Sequence, residues 1–150
     1  MIEVDKEDPR QPEVRDLLAA SDAYSTSLYP EEGRHPVDIA FLASQAVRFF
    51  VARAEGQAIG CAALVLGADG SGELKRMIVL PAARSRGAGH RLIERIEAAA
   101  IAERLHVLRL ETGPRNREAI ALYRRHGFAE RGPFGTYEAG PHSLFMEKRL

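Results

Sequence analysis

The spacing of apolar residues changes period several times along the chain, and each change marks a boundary between elements. Ile2 to Val4 suit a short opening strand. In PEVRDLLAASDAYSTSL, Val14, Leu17, Leu18 and later apolar positions recur at helical spacing, and Pro12 sits where a first helical turn tolerates it. YPEEGRHPVD interrupts regular structure with two prolines and a glycine, before a short helix around Ile39 to Leu42. From Val47 the pattern becomes β-rich. VRFFVARA and AIGCAALVLG flank EGQ as an antiparallel hairpin, and GELKRMIVL after ADGSG completes a meander. Leu92, Ile93, Ile96 and Ala100 then make one apolar face of a helix reaching about Arg104. VLRLET predicts a strand, and REAIALYRRHG an amphipathic helix with Gly127 at a left-handed cap. FAERGPF and HSLFMEKRL predict two closing strands, joined by a loop holding Gly135, Tyr137, Gly140 and Pro141. This order points to mixed α/β architecture, with helices covering a single central sheet.

A length of 150 residues suits one domain spanning the whole chain, 1–150. Lys plus Arg and Asp plus Glu both number 21, so no global field draws the protein to nucleic acid or an anionic membrane; any anion site must be local. The opening MIEVDKEDPR is charged where a signal peptide is apolar, and no run approaches a membrane-spanning length, so a cytoplasmic location is expected. Cys61 lies in the apolar run IGCAALVL and is expected to be a buried small hydrophobe. The five histidines show no metal-ligand spacing, and neither GxSxG nor HExxH occurs, so no metal is expected.

The remaining chemistry concentrates in LPAARSRGAGHRL, residues 80 to 92, which joins a strand to a helix. Gly87 and Gly89 lack Cβ atoms, so their backbone can approach a ligand, and the helix that begins near Gly89 presents unpaired N–H groups. Those donors suit an anion, with Arg84, Arg86 and Arg91 as mobile cations nearby. A flexible surface turn solvated by its arginines would have the same composition. A dinucleotide fingerprint would need a third glycine at Leu92, and a P-loop would need GK[ST].

Two ordered motifs narrow the choice. Arg84, Ser85, Arg86, Gly87, Ala88 and Gly89 match R/Q-x-x-G-x-G/A between a strand and a helix. Asn116, Ala119, Leu122, Tyr123, Gly127 and Phe128 fall on N-x-x-A-x-x-L-Y-x-x-x-G-F. In both respects the chain resembles the GCN5-related N-acetyltransferase (GNAT) family, over about residues 47 to 150; earlier residues match only in helix order. The resemblance implies a GNAT-like, mostly antiparallel sheet of about six or seven strands flanked by about four helices. It also implies acetyl-CoA as co-substrate, its pyrophosphate held by the loop from Arg84 to His90.

An acceptor amine of lysine-like pKa is mostly protonated at neutral pH, and deprotonating it costs roughly 4–5 kcal/mol, so a base is useful. Glu73 begins the strand that ends at Leu80, which places it ~20 Å from the phosphate loop, comparable to an extended pantetheine arm. The resemblance makes Glu73 the catalytic carboxylate, acting directly or through water; a solvated carboxylate paired with Lys75 or Arg76 is the alternative. Asn116 and Tyr123 lie about two helical turns apart and can line one face. The resemblance assigns Asn116 to the cofactor and Tyr123 to the departing thiolate as general acid; an amphipathic helix with Tyr123 as ordinary core is the alternative. Met77, Ile78 and Val79 are candidates for backbone pairing with pantetheine amides, and one of their amides for the oxyanion.

The acceptor must enter from the side opposite the cofactor loop, where Tyr24, Tyr29 and His35 in the early segments and Phe134 and Tyr137 in the last loop supply aromatic rings with polar tips. These rings could equally staple the loops to the core. Three functions remain open. One is an N-acetyltransferase of a small-molecule or amino-acid-like primary amine, attacking in a ternary complex. A second is a protein N-terminal acetyltransferase of ribosomal-protein type, whose layout LRLETGPRN resembles except at Thr112, Gly113 and Pro114. The third is a noncatalytic acyl-CoA sensor. A homodimer is compatible with all three.

Overall fold

The computed structural model describes residues 1–30 and 38–150, leaving His35 outside the described residues. In chain order the elements are β1 (Ile2–Lys6), α1 (Pro12–Leu28), α2 (Ile39–Leu42), β2 (Val47–Ala54), β3 (Gln57–Leu66), β4 (Ser71–Val79), a 3₁₀ turn (Pro81–Arg86), α3 (Ala88–Ala102), β5 (Val107–Thr112), α4 (Arg117–Arg125), β6 (Ala129–Arg131) and β7 (Leu144–Arg149). The strands form one sheet in the order β1-β2-β3-β4-β5-β7-β6. The mixed, mostly antiparallel sheet expected from the sequence is therefore what forms.

Local chemistry explains the joints. The β2–β3 hairpin turns through Glu55 and Gly56, both at positive φ (53° and 81°), the backbone twist that a two-residue hairpin requires. α4 stops where Gly127 adopts φ 90°. β6 is shorter than FAERGPF suggests, because Pro133 has no N–H for a ladder and Gly132 adds no side chain to pack.

Each face of the sheet carries its own core. Leu92, Ile93, Ile96 and Ala100 of α3 are fully buried against Leu64, Leu108 and Met146 on one face. Val14, Leu17 and Leu18 of α1 pack with Phe49, Val51 and Cys61 on the other. Each large aliphatic buried this way contributes about 1.5–3 kcal/mol. Cys61 is fully buried, and burial pushes its thiol up to about 12, so it stays an inert hydrophobe at neutral pH.

Two irregularities of β4 shape the centre of the molecule. Cys61 pairs with Ile78 but Ala63 pairs with Lys75, so Arg76 and Met77 together oppose Ala62 in a bulge. Arg76 there adopts φ 54°, a left-handed conformation costing on the order of 1–2 kcal/mol for a non-glycine residue. Its guanidinium donates to Asp22 Oδ1 of α1 at 2.8 Å, which ties that helix to the bulge. The second irregularity is a fork. The parallel pairing of β4 with β5 covers only Ser71↔Val107, Gly72↔Leu108 and Glu73↔Arg109. Both strands continue beyond it, to Val79 and Thr112, without pairing to each other.

Candidate active site

At the far end of the fork, the 3₁₀ turn passes through Gly87 into α3. Gly87 has φ 85°, and a Cβ built there meets nothing within 4 Å, so this is where backbone is open to a ligand. The first helical bond after it runs from Arg91 N to Gly87 O, which leaves the N–H groups of residues 88–90 outside the helical ladder and available to an anion. Ser85, Arg84 and Arg86 are exposed beside them. Arg84 is steadied by Glu118 at 3.4 Å and by the Tyr24 ring, 5.2 Å from its guanidinium carbon.

Gly89 also has a packing role. It is buried, and a Cβ there would lie 2.7 Å from Leu122 Cδ2 and 3.5 Å from Met77 Cε. The glycine lets α3 sit close to α4 and β4. His90, in the same turn, shares a hydrogen bond with His126 at the end of α4, Nδ1 to Nε2, 2.9 Å.

Past the paired part of the fork, Met77 and Val79 of β4 pack against the same apolar cluster as Leu122 and Tyr123 of α4. Asn116 caps α4 and donates from Nδ2 to Thr112 Oγ1 at 3.2 Å; its Oδ1 is buried and has no hydrogen-bond partner among the described residues. A buried acceptor of this kind costs about 1–3 kcal/mol unless a ligand N–H meets it. Tyr123 is buried, with its ring 5.8 Å from that of Phe128. Burial drives its phenol well above the ordinary range, so it keeps its proton at every physiological pH.

Glu73 marks the fork's closed end. Its Oε2 accepts from the Tyr137 hydroxyl at 2.6 Å and lies 4.0 Å from Lys75 Nζ, while Oε1 takes no hydrogen bond among the described residues. Tyr137 belongs to an aromatic cluster with Phe134 and Phe145, centroids 5.1–5.7 Å apart. A pocket of about 220 Å³ opens beside Glu73, lined also by Val65, Asp69, Arg109 and Phe134. A larger depression of about 440 Å³, between the β1–α1 turn and the start of β2, contains none of these residues.

The early aromatics do not join this pocket. Tyr24 stands at Arg84, on the loop side. Tyr29 is buried; its hydroxyl accepts from Arg115 N at 2.7 Å, and its ring meets His142 edge-on at 5.2 Å. A Cβ on Gly113 would collide with that ring, so Tyr29 and Gly113 fit each other. Arg109 went unremarked in the sequence, and Thr112 stood out there only as a departure from the N-terminal acetyltransferase layout, although alternation in VLRLET already sets Arg109 on the face opposite Leu108 and Leu110. Among the described residues no group of His, Cys, Asp or Glu is placed to hold a metal, and no helix is long and apolar enough to cross a membrane.

The sequence pattern of the Acetyltransferase (GNAT) family matches residues 14–128. The chain belongs to this family. It is an acetyl-CoA-dependent N-acetyltransferase. It is 47% identical over 150 residues to an IAA acetyltransferase of Azospirillum brasilense, covering 99% of this chain and 98% of that one. It is 33% identical to the N-acetyltransferase YedL of Escherichia coli K12, covering 100% and 96%. Among solved structures, an acyl-CoA N-acyltransferase from Klebsiella pneumoniae superposes with a TM-score of 0.87 at 37% identity, covering 100% of this acetyltransferase and 98% of its own chain.

Proposed function

We propose that this acetyltransferase modifies the primary amine of a small-molecule or amino-acid-like acceptor, which attacks the acetyl group while both substrates are bound. The observation that carries the reading is Glu73, a carboxylate at the closed end of the fork that lines a pocket, with one oxygen anchored by Tyr137 and the other without a hydrogen bond among the described residues. A base so placed can take a proton from an incoming ammonium, and the Tyr137 hydroxyl on Oε2 fixes the carboxylate while leaving Oε1 to accept it. Acetyl-CoA supplies the thioester. The N–H groups of residues 88–90 hold its pyrophosphate with help from Arg84 and Arg86, Asn116 Oδ1 accepts from its arm, and the backbone of residues 77–79 lines its path and offers an amide to the carbonyl oxygen. Tyr123 returns a proton to the sulfur that leaves.

The test is acetyl-CoA consumption with a panel of small amines and amino acids beside a panel of peptides. Turnover confined to small amines supports the proposal. Turnover confined to peptides transfers the same machinery to a protein N-terminal acceptor. Tight acyl-CoA binding without turnover on either panel leaves a sensor.

A further inference from the structure

Glu73 and Arg109 are register partners on adjacent strands and line the same pocket, yet neither neutralises the other among the described residues. Glu73 binds Tyr137, with Lys75 at 4.0 Å. Arg109 donates from Nε to Glu147 Oε1 at 3.1 Å and holds Asp69 only loosely, Nη1 to Oδ2 at 3.5 Å. Its guanidinium carbon lies 6.0 Å from the centroid of Phe134, whose ring also touches Tyr137. A base and a cation thus leave adjacent strands about one strand spacing apart, with Tyr137 on the first and Phe134 beside the second.

This pattern matches a molecule carrying an ammonium and a carboxylate on one carbon. Resting on the proposed acceptor reading, we infer that the acceptor is a free α-amino acid: its amine faces Glu73, its carboxylate displaces Asp69 from Arg109, and its side chain lies along Phe134 and Val65. Arg109 is then the residue that separates amino acids from simple amines. The guanidinium fork suits a carboxylate, and Asp69, exposed at the rim and bound to Ser71, can let go of it cheaply.

The experiment measures kcat/KM for pairs differing only by the carboxylate: L-phenylalanine with 2-phenylethylamine, L-leucine with 3-methylbutylamine, and L-alanine with ethylamine. An amino acid's amine loses its proton more readily than an alkylamine's, so the criterion is the change in ratio between the wild type and Arg109→Gln. The ratio should fall about 10- to 100-fold in the variant. Because Arg109→Gln also breaks the Glu147 pair, Asp69→Asn serves as the second variant: it frees the guanidinium and should lower KM for the amino acids but not for the amines. Ratios unchanged in Arg109→Gln, or a preference for the amines throughout, overturn the inference and leave the small-amine reading standing. Failure to acetylate any member of any pair overturns both.

Discussion

On the side proposed for the cofactor, most of the groups open to a ligand belong to the main chain, namely the backbone at Gly87, the N–H groups of residues 88–90 and the unpaired edges of β4 and β5, with Arg84, Arg86 and Asn116 adding side chains. On the side proposed for the acceptor they are side chains, Glu73, Arg109, Phe134 and Tyr137, drawn from three separate parts of the chain. A backbone site tolerates many side chains provided that its conformation survives, whereas a side-chain site can be retuned by one substitution. The first kind of site suits a donor common to a whole family, and the second an acceptor that differs among its members.

The sharpest test of this contrast removes the base. Glu73→Gln keeps the shape and the bond to Tyr137 but cannot take a proton, so kcat should fall about 10²–10⁴-fold at neutral pH. Activity should partly return as pH rises toward the amine's own pKa near 10, where the acceptor arrives already neutral. A steady-state pH profile parallel to that of the wild type would remove Glu73 from proton transfer.

On the other side, side-chain bulk should act through the fold. Gly89→Val places atoms on Leu122, and overpacking there should cost about 1–3 kcal/mol, on the order of 3–10 °C in melting temperature. A variant with unchanged melting temperature but weakened acetyl-CoA binding by calorimetry would restore Gly89 to the ligand's path.

The same contrast explains what could be read in advance. The sheet, the helices and the loop from Arg84 to His90 were legible because each depends on residues close in sequence: alternation in VRFFVARA, helical spacing around Leu92 and Ile96, glycines between a strand and a helix. The Glu73–Tyr137 bond spans 64 residues, and the Glu73↔Arg109 pairing exists only through a crossover whose register no local pattern fixes. The packing role of Gly89 was hidden for a related reason. A glycine needed for access and one needed for close helix packing look alike until the neighbour, Leu122, is known.

Tyr29 extends the contrast to smaller effects. Its hydroxyl is engaged by Arg115 N and its ring covered by His142, so Tyr29→Phe should cost about 1 kcal/mol of stability and leave acceptor KM within about threefold. Tyr137→Phe should do the reverse and act on turnover through Glu73. Should Tyr29→Phe instead raise acceptor KM with no change in denaturation midpoint, the pocket would extend to the end of α1.

The smallest effect expected lies where the two sides share a support, at His90 and His126 behind the loop. One ring must donate and the other accept, which requires an unprotonated nitrogen on at least one of them. Burial, then the neighbouring His90, hold the His126 imidazole below its ordinary value near 6.5; Lys148 on β7 acts in the same direction, and Glu97 and Glu94 on α3 oppose it. The unfolded chain therefore takes up a proton at this residue before the folded one does. Well above pH 6.5 both states are neutral here and the residue adds no pH dependence to stability. As pH falls from about 6.5 toward the lowered folded value the unfolded state binds more protons, stability declines, and below that value the loss levels off. His126→Asn, which cannot titrate, should flatten the dependence of the urea midpoint on pH between 7 and 5.5 relative to the wild type. An identical dependence in the two proteins would show that the pair stays intact through this range, and that acid sensitivity arises elsewhere.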